Sequence, residues 1–211
     1  MLKRSFDFTL ALLGLILSSP LWLIVSLAIY IEDRGPVLFL QERCGMQGKP
    51  FKMLKFRTMR HLPTGKHQIL SQEIDPRVTR VGRLLRATAL DELPNLINIL
   101  KGDMSFVGPK PLPFKIEADR KAFIYIAPLT DETMQYDNIS QVPGYDLRSR
   151  IRPGLTGVAQ LYAPKTIDHT ERFRYDNLYV QKMSFWLDLK LILLSFLVTF
   201  KGKWEHQEKK I

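Results

Sequence analysis

A run of 24 residues, Phe8 to Ile31, carries no charge. As a helix it would be about 36 Å long, enough to cross the hydrocarbon core of a bilayer. The tract is longer than the apolar core of a secretory signal, and no small-residue cleavage site precedes Glu32. Its middle reads Ser18-Ser19-Pro20. A proline inside a helix removes one hydrogen bond and strands a carbonyl, which in lipid needs a partner; the two serine hydroxyls are placed to supply one.

The flanking charges bear on topology. Lys3 and Arg4 precede the tract, and Arg34, Arg43, Lys49, Lys52 and Lys55 follow it. If the tract spans the membrane, one basic cluster lies on the wrong side. If it enters, breaks at Ser19-Pro20 and returns, both clusters face the cytoplasm. The re-entrant arrangement uses the proline and both clusters and is the expectation here; an ordinary kinked transmembrane helix is the alternative. A second apolar tract, Met183 to Phe200, is interrupted by Asp188 and Lys190. Phe185, Leu189, Ile192, Leu193, Phe196 and Phe200 share a helical face, and Trp186 suits an interfacial level. An amphipathic helix on the bilayer surface fits this pattern, and so does a core helix. The chain then divides into an anchor over 1–34, a body over 35–182, a surface helix over 183–200 and a polar tail over 201–211.

Composition narrows the chemistry of the body. The single cysteine, Cys44, excludes an intramolecular disulfide and a cysteine-based zinc site, and the four histidines are scattered. The net charge of +10 calls for an anionic partner: phosphate, nucleic acid or anionic lipid. The aromatic interleaving of single-strand binders and any groove-reading module are missing, so nucleic acid is not expected.

Within the body, Val37–Leu40 and Phe51–Met59 read as strands flanking a glycine-containing loop at 45–48, residues 61–76 as a loop, and Val78–Ala89 as partly helical. Val81, Leu84 and Leu85 fall on one face of that helix and arginines on the other. Pro94–Leu100 reads as a short helix closed by Gly102. Residues 127–145 read as a loop, and Val158-Ala159-Gln160 as a short strand after the Arg152-Pro153-Gly154 turn. Arg80, Arg83 and Arg86 recur at helical spacing and are followed by Asp91 and Glu92. Adjacent carboxylates at a helix start can simply be caps. Beside guanidinium groups and a hard cation they also suit attack on phosphorus, with one carboxylate as nucleophile and the other as Mg2+ ligand. Lys55 and Arg57 alternate along one strand face, as solvated surface or as phosphate ligands. Lys110, between Pro109 and Pro111, is fixed in a segment that cannot be helical and could reach a nucleotide or diphosphate. Walker and dinucleotide-binding glycine motifs are absent.

Several runs resemble the bacterial sugar transferase family, the monotopic phosphoglycosyl transferases. They are Asp75-Pro76-Arg77-Val78-Thr79-Arg80-Val81-Gly82-Arg83, Leu90-Asp91-Glu92-Leu93-Pro94-Asn95-Leu96-Ile97-Asn98 and Lys101-Gly102-Asp103-Met104-Ser105-Phe106-Val107-Gly108-Pro109. Lys55-Phe56-Arg57-Thr58-Met59, Arg152-Pro153-Gly154-Leu155-Thr156-Gly157 and Lys3-Arg4-Ser5-Phe6-Asp7 with Ser19-Pro20 add to the likeness, which covers nearly the whole chain. The length is similar to that of the small members without an extra multi-span region.

The resemblance implies a mixed α/β, mainly helical, single membrane-associated domain with a re-entrant N-terminal helix and interfacial helices, its active site on the cytoplasmic face of the bacterial inner membrane. It implies transfer of sugar-1-phosphate from a UDP-sugar to a polyprenyl phosphate such as undecaprenyl phosphate, releasing UMP. Asp91 is then the nucleophile and Glu92 a Mg2+ ligand, while Lys55, Arg57, Arg86, Lys110 and Arg152 serve phosphate or substrate and Asp176 matches a further acidic position. The partners implied are the two substrates and a bilayer containing anionic lipids. The family usually has Pro-Arg-Pro where this chain has Pro109-Lys110-Pro111, and Val-Asn-Gly-Arg where it has Leu161-Tyr162-Ala163-Pro164. Lysine keeps the charge at 110 without the planar fork.

Overall fold

A computed structural model describes residues 2–60, 75–113, 142–164, 167 and 169–201. Most of the loop expected at 61–76, residues 127–141 of the expected loop at 127–145 and nearly all of the tail at 201–211 lie outside the described residues. The chain is mixed and mainly helical. Helix α1 (Leu2–Glu32) leads into an antiparallel hairpin of β1 (Leu38–Cys44) and β2 (Pro50–Phe56), with Leu38 opposite Phe56 and Cys44 opposite Pro50. Helix α2 (Arg80–Ala87), a 3-10 turn over Leu90–Glu92 and helix α3 (Asn95–Lys101) follow. Strand β3 (Ser105–Val107), helix α4 (Tyr145–Ser149) and strand β4 (Gly154–Thr156) come next, β3 and β4 pairing in parallel. Helices α5 (Val158–Tyr162), α6 (His169–Lys182) and α7 (Phe185–Phe200) complete the order.

Helix α1 runs unbroken through Pro20, so the break expected at Ser19-Pro20 is not an interruption of the helix. The expected repair is present. Ser19 Oγ donates to the Ile16 carbonyl at 2.8 Å, the acceptor that the proline leaves without an amide. Trp22 Nε1 donates to Ser18 Oγ at 3.1 Å. Among the described residues α1 is the one helix long and apolar enough to cross a membrane. Leu13, Ile16, Leu17, Leu23, Ile24 and Leu27 are exposed along it.

The opposite stripe of α1 packs on the body at both ends. Ala11 and Leu15 meet Met53, Leu96, Ile99 and Met104, while Trp22, Val25 and Ile29 meet Phe56 and Leu85. Polar contacts repeat the pattern. Arg4 donates to the Ile99 and Leu100 carbonyls at the end of α3. Asp7 accepts from the Phe106 amide at 3.2 Å. At the other end Glu32 accepts from the Arg80 and Val81 amides at 2.6 and 2.8 Å, and Thr79 Oγ1 accepts from the Gly82 amide at 2.9 Å. Those free amides at the start of α2 favour an anion.

Helix α3 is joined to the hairpin by one side chain. Asn98 Oδ1 accepts from the Leu54 amide at 3.0 Å and its Nδ2 donates to the Lys52 carbonyl at 2.8 Å. A buried carboxamide here mimics a neighbouring strand along β2. The expected closure of this helix is observed: Gly102 has φ 93°, and its amide returns to the Asn98 carbonyl at 3.0 Å.

Three local expectations change. β2 ends at Phe56, so Arg57 lies just past the strand. Val81 and Leu85 do face the core, but Leu84 is exposed, because it lies about 100° around the helix from Leu85. Val158-Ala159-Gln160 is the start of a helix, not a strand; Ala159 and Leu161 turn inward and the Leu161 amide reaches the Gly157 carbonyl at 3.2 Å. A short apolar run fits either period, and here the hydrogen bonds from the Leu161 and Ala163 amides to the Gly157 and Ala159 carbonyls make it a helix.

At the far side, Leu187, Leu191, Leu194 and Val198 of α7 pack with Val107, Leu161 and Tyr179. The outer face of α7 stays bare, with Trp186 75% and Phe200 86% exposed. Helix α7 is therefore apolar on both faces, and the packed face satisfies the core-helix pattern while the bare one satisfies the surface pattern. Lys3 pairs with Asp188 at 2.6 Å, Tyr179 donates to the same carboxylate at 2.6 Å, and Phe6 meets Phe185 edge to face at 5.1 Å.

Replacing Asn98 by Ala strands the Leu54 amide and the Lys52 carbonyl together. We expect a loss of about 3 kcal/mol, read as a lower melting temperature of the detergent-solubilised chain. An Asn98→Ala protein that melts with its parent would remove this residue from the account of how α3 is held.

Candidate active site

The turn that carries Asp91 and Glu92 is built by an unusual residue. Ala89 adopts φ 55°, ψ 17°, a left-handed conformation that costs a non-glycine residue about 1 kcal/mol. It reverses the chain between α2 and the 3-10 turn, and Leu90 and Leu93 then anchor the turn on Phe56 and Leu85. The carboxylates do not cap α3, whose N-cap is Pro94. Asp91 and Glu92 are thus held in a half-buried turn beside β2.

Lys55 of β2 forms an ion pair with Glu92. Arg86 of α2 is tied by its Nε to Thr58 Oγ1 at 2.9 Å, and its charge reaches Asp91. Burial pushes the Asp91 carboxyl above its ordinary value, and the charge of Glu92 adds to that; Lys55 and Arg86 pull it back only in part. Asp91 is therefore a carboxylate short of positive charge.

Lys110 lies in the run Pro109-Lys110-Pro111-Leu112-Pro113, where three of five residues have no amide proton. Its carbonyls are met from outside. Those of Pro109 and Lys110 accept from the Gly154 amide at 2.9 Å and Arg148 Nη2 at 2.7 Å. Those of Pro111 and Leu112 accept from Arg43 Nη1 at 3.3 Å and the Cys44 amide at 2.9 Å. Four successive clamps fix the backbone and leave the lysine side chain exposed. The surrounding protein lowers the pKa of its ammonium, and the charges of Arg172, Lys55 and Arg43 lower it further, against Glu92. Lys55 and Arg86 thus act on Asp91, and Lys55, Lys110 and Arg43 act on Glu92, with Arg172 adding its charge at Lys110.

The other expected residues lie elsewhere. Arg57 is buried at the exit of α1, donating to the Asp33 carbonyl and pairing with its carboxylate at 3.5 Å. Arg152 donates from Nε to the Gly102 carbonyl at 2.7 Å, at the end of α3. Asp176 is buried and pairs with buried Arg148 at 3.0 Å, and Arg148 in turn holds the Lys110 carbonyl. Asp176 thus bears on Lys110 through Arg148. Sequence reasoning missed Arg43, Arg148 and Arg172. The proline spacing at 109–113 is the signal that such donors had to exist; it does not say which residues they are.

Among the described residues no three acidic, histidine or cysteine side chains cluster, so a divalent cation would have Asp91 and Glu92 as its protein carboxylates. One or two carboxylates completed by water and substrate phosphate is the habit of Mg2+. The deficit of positive charge at Asp91 fits such an ion.

The family model described as bacterial sugar transferase matches residues 1–202. The chain is 40% identical over 205 residues to UDP-glucose:undecaprenyl-phosphate glucose-1-phosphate transferase of Klebsiella pneumoniae, covering 95% of this chain and 40% of that protein. The protein of the same name from Escherichia coli K12 is 39% identical over 207 residues, again with 96% of this chain and 40% of the relative covered. That from Caulobacter vibrioides is 41% identical over 196 residues, with 90% and 67% covered. The chain thus spans well under half the length of the first two relatives. With almost all of its length matched, the chain belongs to the bacterial sugar transferase family.

Proposed function

We propose that the chain transfers sugar-1-phosphate from a UDP-sugar to a polyprenyl phosphate, with Asp91 as the nucleophile. The observation that carries this reading is the Asp91–Glu92 turn with Lys55, Arg86, Lys110 and Arg43 acting on its carboxylates, in a body whose α1 and α7 show bare apolar faces. Two anionic substrates meet there, one soluble and one confined to the bilayer, which demands both surplus positive charge and a position at the lipid surface. The names of the relatives pair the same two substrate classes.

In the first step an Asp91 carboxylate oxygen attacks the phosphorus that bears the sugar. The bond from that phosphorus to the UMP oxygen breaks, and UMP leaves with the electron pair. In the second, an ionised oxygen of the polyprenyl phosphate attacks the same phosphorus, and the aspartyl oxygen leaves to restore Asp91. Lys55 orients Glu92, while Arg86 and Lys110 neutralise phosphate oxygens. Mg2+ held by Asp91 and Glu92 would offset phosphate charge. Burial of Asp91 strips water from the nucleophile and so favours attack.

The same reading makes α1 re-entrant. Both of its ends are fastened to one body, Arg4 and Asp7 at the start and Glu32 at the finish. A span would carry its two ends to opposite faces of the membrane. The apolar outer side of α7 lies on the bilayer surface, and the body faces the cytoplasm.

Single-turnover reaction with UDP-glucose, the donor named in several relatives, separates this from direct transfer in a ternary complex. We expect UMP release without lipid acceptor, at no more than one equivalent, and a labelled sugar-phosphate on Asp91. Asp91→Asn should lower the rate by about a thousandfold or more. UMP release by the variant at the parental rate, or strict dependence of the burst on lipid, would favour direct transfer.

The raised carboxyl also sets a pH dependence. The nucleophile ionises only as pH rises through a value above 3.8, so the acid limb of kcat/KM should lie above the ordinary carboxylate range. Glu92→Gln removes a like charge and should move that limb to lower pH even as the rate drops. A limb that moves upward, or stays in place, would contradict the assigned cause.

A further inference from the structure

A cavity opens away from the Asp91 turn, in the elbow where α6 hands over to α7. Its volume is about 260 Å³. Val158 and Tyr162 of α5, Leu178 of α6, and Leu187 and Leu191 of α7 line it. Tyr179 also borders it, with its hydroxyl already engaged by Asp188 Oδ1 at 2.6 Å and the Val107 carbonyl at 3.2 Å. Tyr175 of α6 and two cations, Lys182 and Lys190, complete the lining. Both are exposed, and neither forms an ion pair among the described residues.

The walls decide the class of ligand. A nucleotide or sugar needs several directed donors and acceptors, and these walls are almost wholly apolar. An apolar chain fits them. The two unpaired ammonium groups at the same pocket add the complement of a negative headgroup, and basic pockets between helices at a membrane surface are suited to anionic lipids. The surroundings place lipid within reach: Trp186, Leu193 and Phe196 of α7 are exposed, and Leu178 and Tyr162 continue the apolar surface to the pocket. Lys190 interrupts an otherwise apolar stretch of α7, and the transfer reaction gives it no task.

We propose that this pocket binds one anionic phospholipid of the surrounding bilayer, with part of an acyl chain against Leu178, Leu187 and Leu191 and the headgroup phosphate at Lys182 and Lys190. The occupant is not the acceptor substrate in its reactive pose. Arg172 and Asp176 belong to the catalytic side of α6, and Leu178 and Lys182 lie about a third of a turn around that helix. A phosphate held at the lysines is therefore on a different stripe of the helix from the groups around Asp91. Bound lipid fixes the elbow and thereby the depth at which α7 lies.

The test is lipid retention by the full chain in detergent, read by native mass spectrometry with dioleoylphosphatidylglycerol and dioleoylphosphatidylcholine as probes. No substrate is needed, so the result stands apart from the transfer reaction. We expect one phosphatidylglycerol to be held in preference to phosphatidylcholine. The paired exchange Lys182→Gln and Lys190→Gln should weaken it by about 30-fold, with the helical circular dichroism and the UMP release of the parent intact. Leu178→Trp, which fills the cavity, should weaken it too, and the lysine pair decides the matter if that variant fails to fold. Equal retention of the two lipids, or parental affinity in the lysine pair, would overturn the proposal. So would displacement by millimolar inorganic phosphate, which marks a free-anion site, or by equimolar polyprenyl phosphate, which marks the seat of the acceptor.

Discussion

Helix α1 holds the free ends of two other helices, and the catalytic turn hangs between them. Glu32 accepts from the first amides of α2 and Arg4 donates to the last carbonyls of α3. Each contact satisfies peptide groups that no partner within their own helix can reach, and each brings the sign of charge that the helix end prefers. Residues 80–101 form one piece between these clamps: α2, the Ala89 reversal, the Asp91–Glu92 turn and α3. The most apolar element of the chain is thus also the frame of its most polar site. A displacement of α1 in the bilayer would be transmitted to that turn through both clamps.

The polar site balances opposite demands. A buried nucleophile needs enough positive charge nearby to ionise, and too much would mask it. Asp91 lies on the lean side of that balance, since burial and Glu92 outweigh Lys55 and Arg86. Lys55 is moreover shared with Glu92. Lys110 belongs to a separate piece of backbone, the proline run at 109–113, which cannot fold into a helix or supply its own hydrogen bonds and so must be clamped by residues distant in sequence. Arg148 and Arg43 do this, and Asp176 holds Arg148 in turn. A lysine at 110 presents a point charge on a flexible stem where the family usually has a guanidinium fork, so the rigidity must come from the backbone beneath it.

Elements whose determinants are local in the chain were legible in the sequence. The apolar tract of α1, the serine repair of Pro20 and the Gly102 closure of α3 all depend on near neighbours. Failures came where distant packing chose between equal local readings. Arg57 and Arg152, read from charge as phosphate ligands, are found donating to the carbonyls of Asp33 and Gly102, contacts that no local pattern announces. Val158–Gln160 could be strand or helix until the Leu161 and Ala163 amides met the Gly157 and Ala159 carbonyls. The span of α6, with Arg172 and Asp176 about one helical turn apart, was not read as a helix because His169–Lys182 lacks a clean apolar stripe.

In the proposed reaction, a membrane-confined acceptor also favours two displacements over one. In a ternary complex the nucleotide diphosphate and the acceptor phosphate would meet the same cations together, and of these Lys55 already serves Glu92. In the proposed two-step transfer UMP would leave first, so the cations would neutralise one substrate at a time. The cost is a nucleophile that must leave as readily as it attacks. A carboxylate is suited to both, and in the proposed reaction the partial burial that raises the Asp91 pKa would limit the access of water to a phosphorylated form. The acceptor needs no strong base, because its phosphate is already ionised near neutral pH. On that reading the protein must supply position relative to the lipid, and α1, fixed at both ends to the body that carries the turn, would supply it.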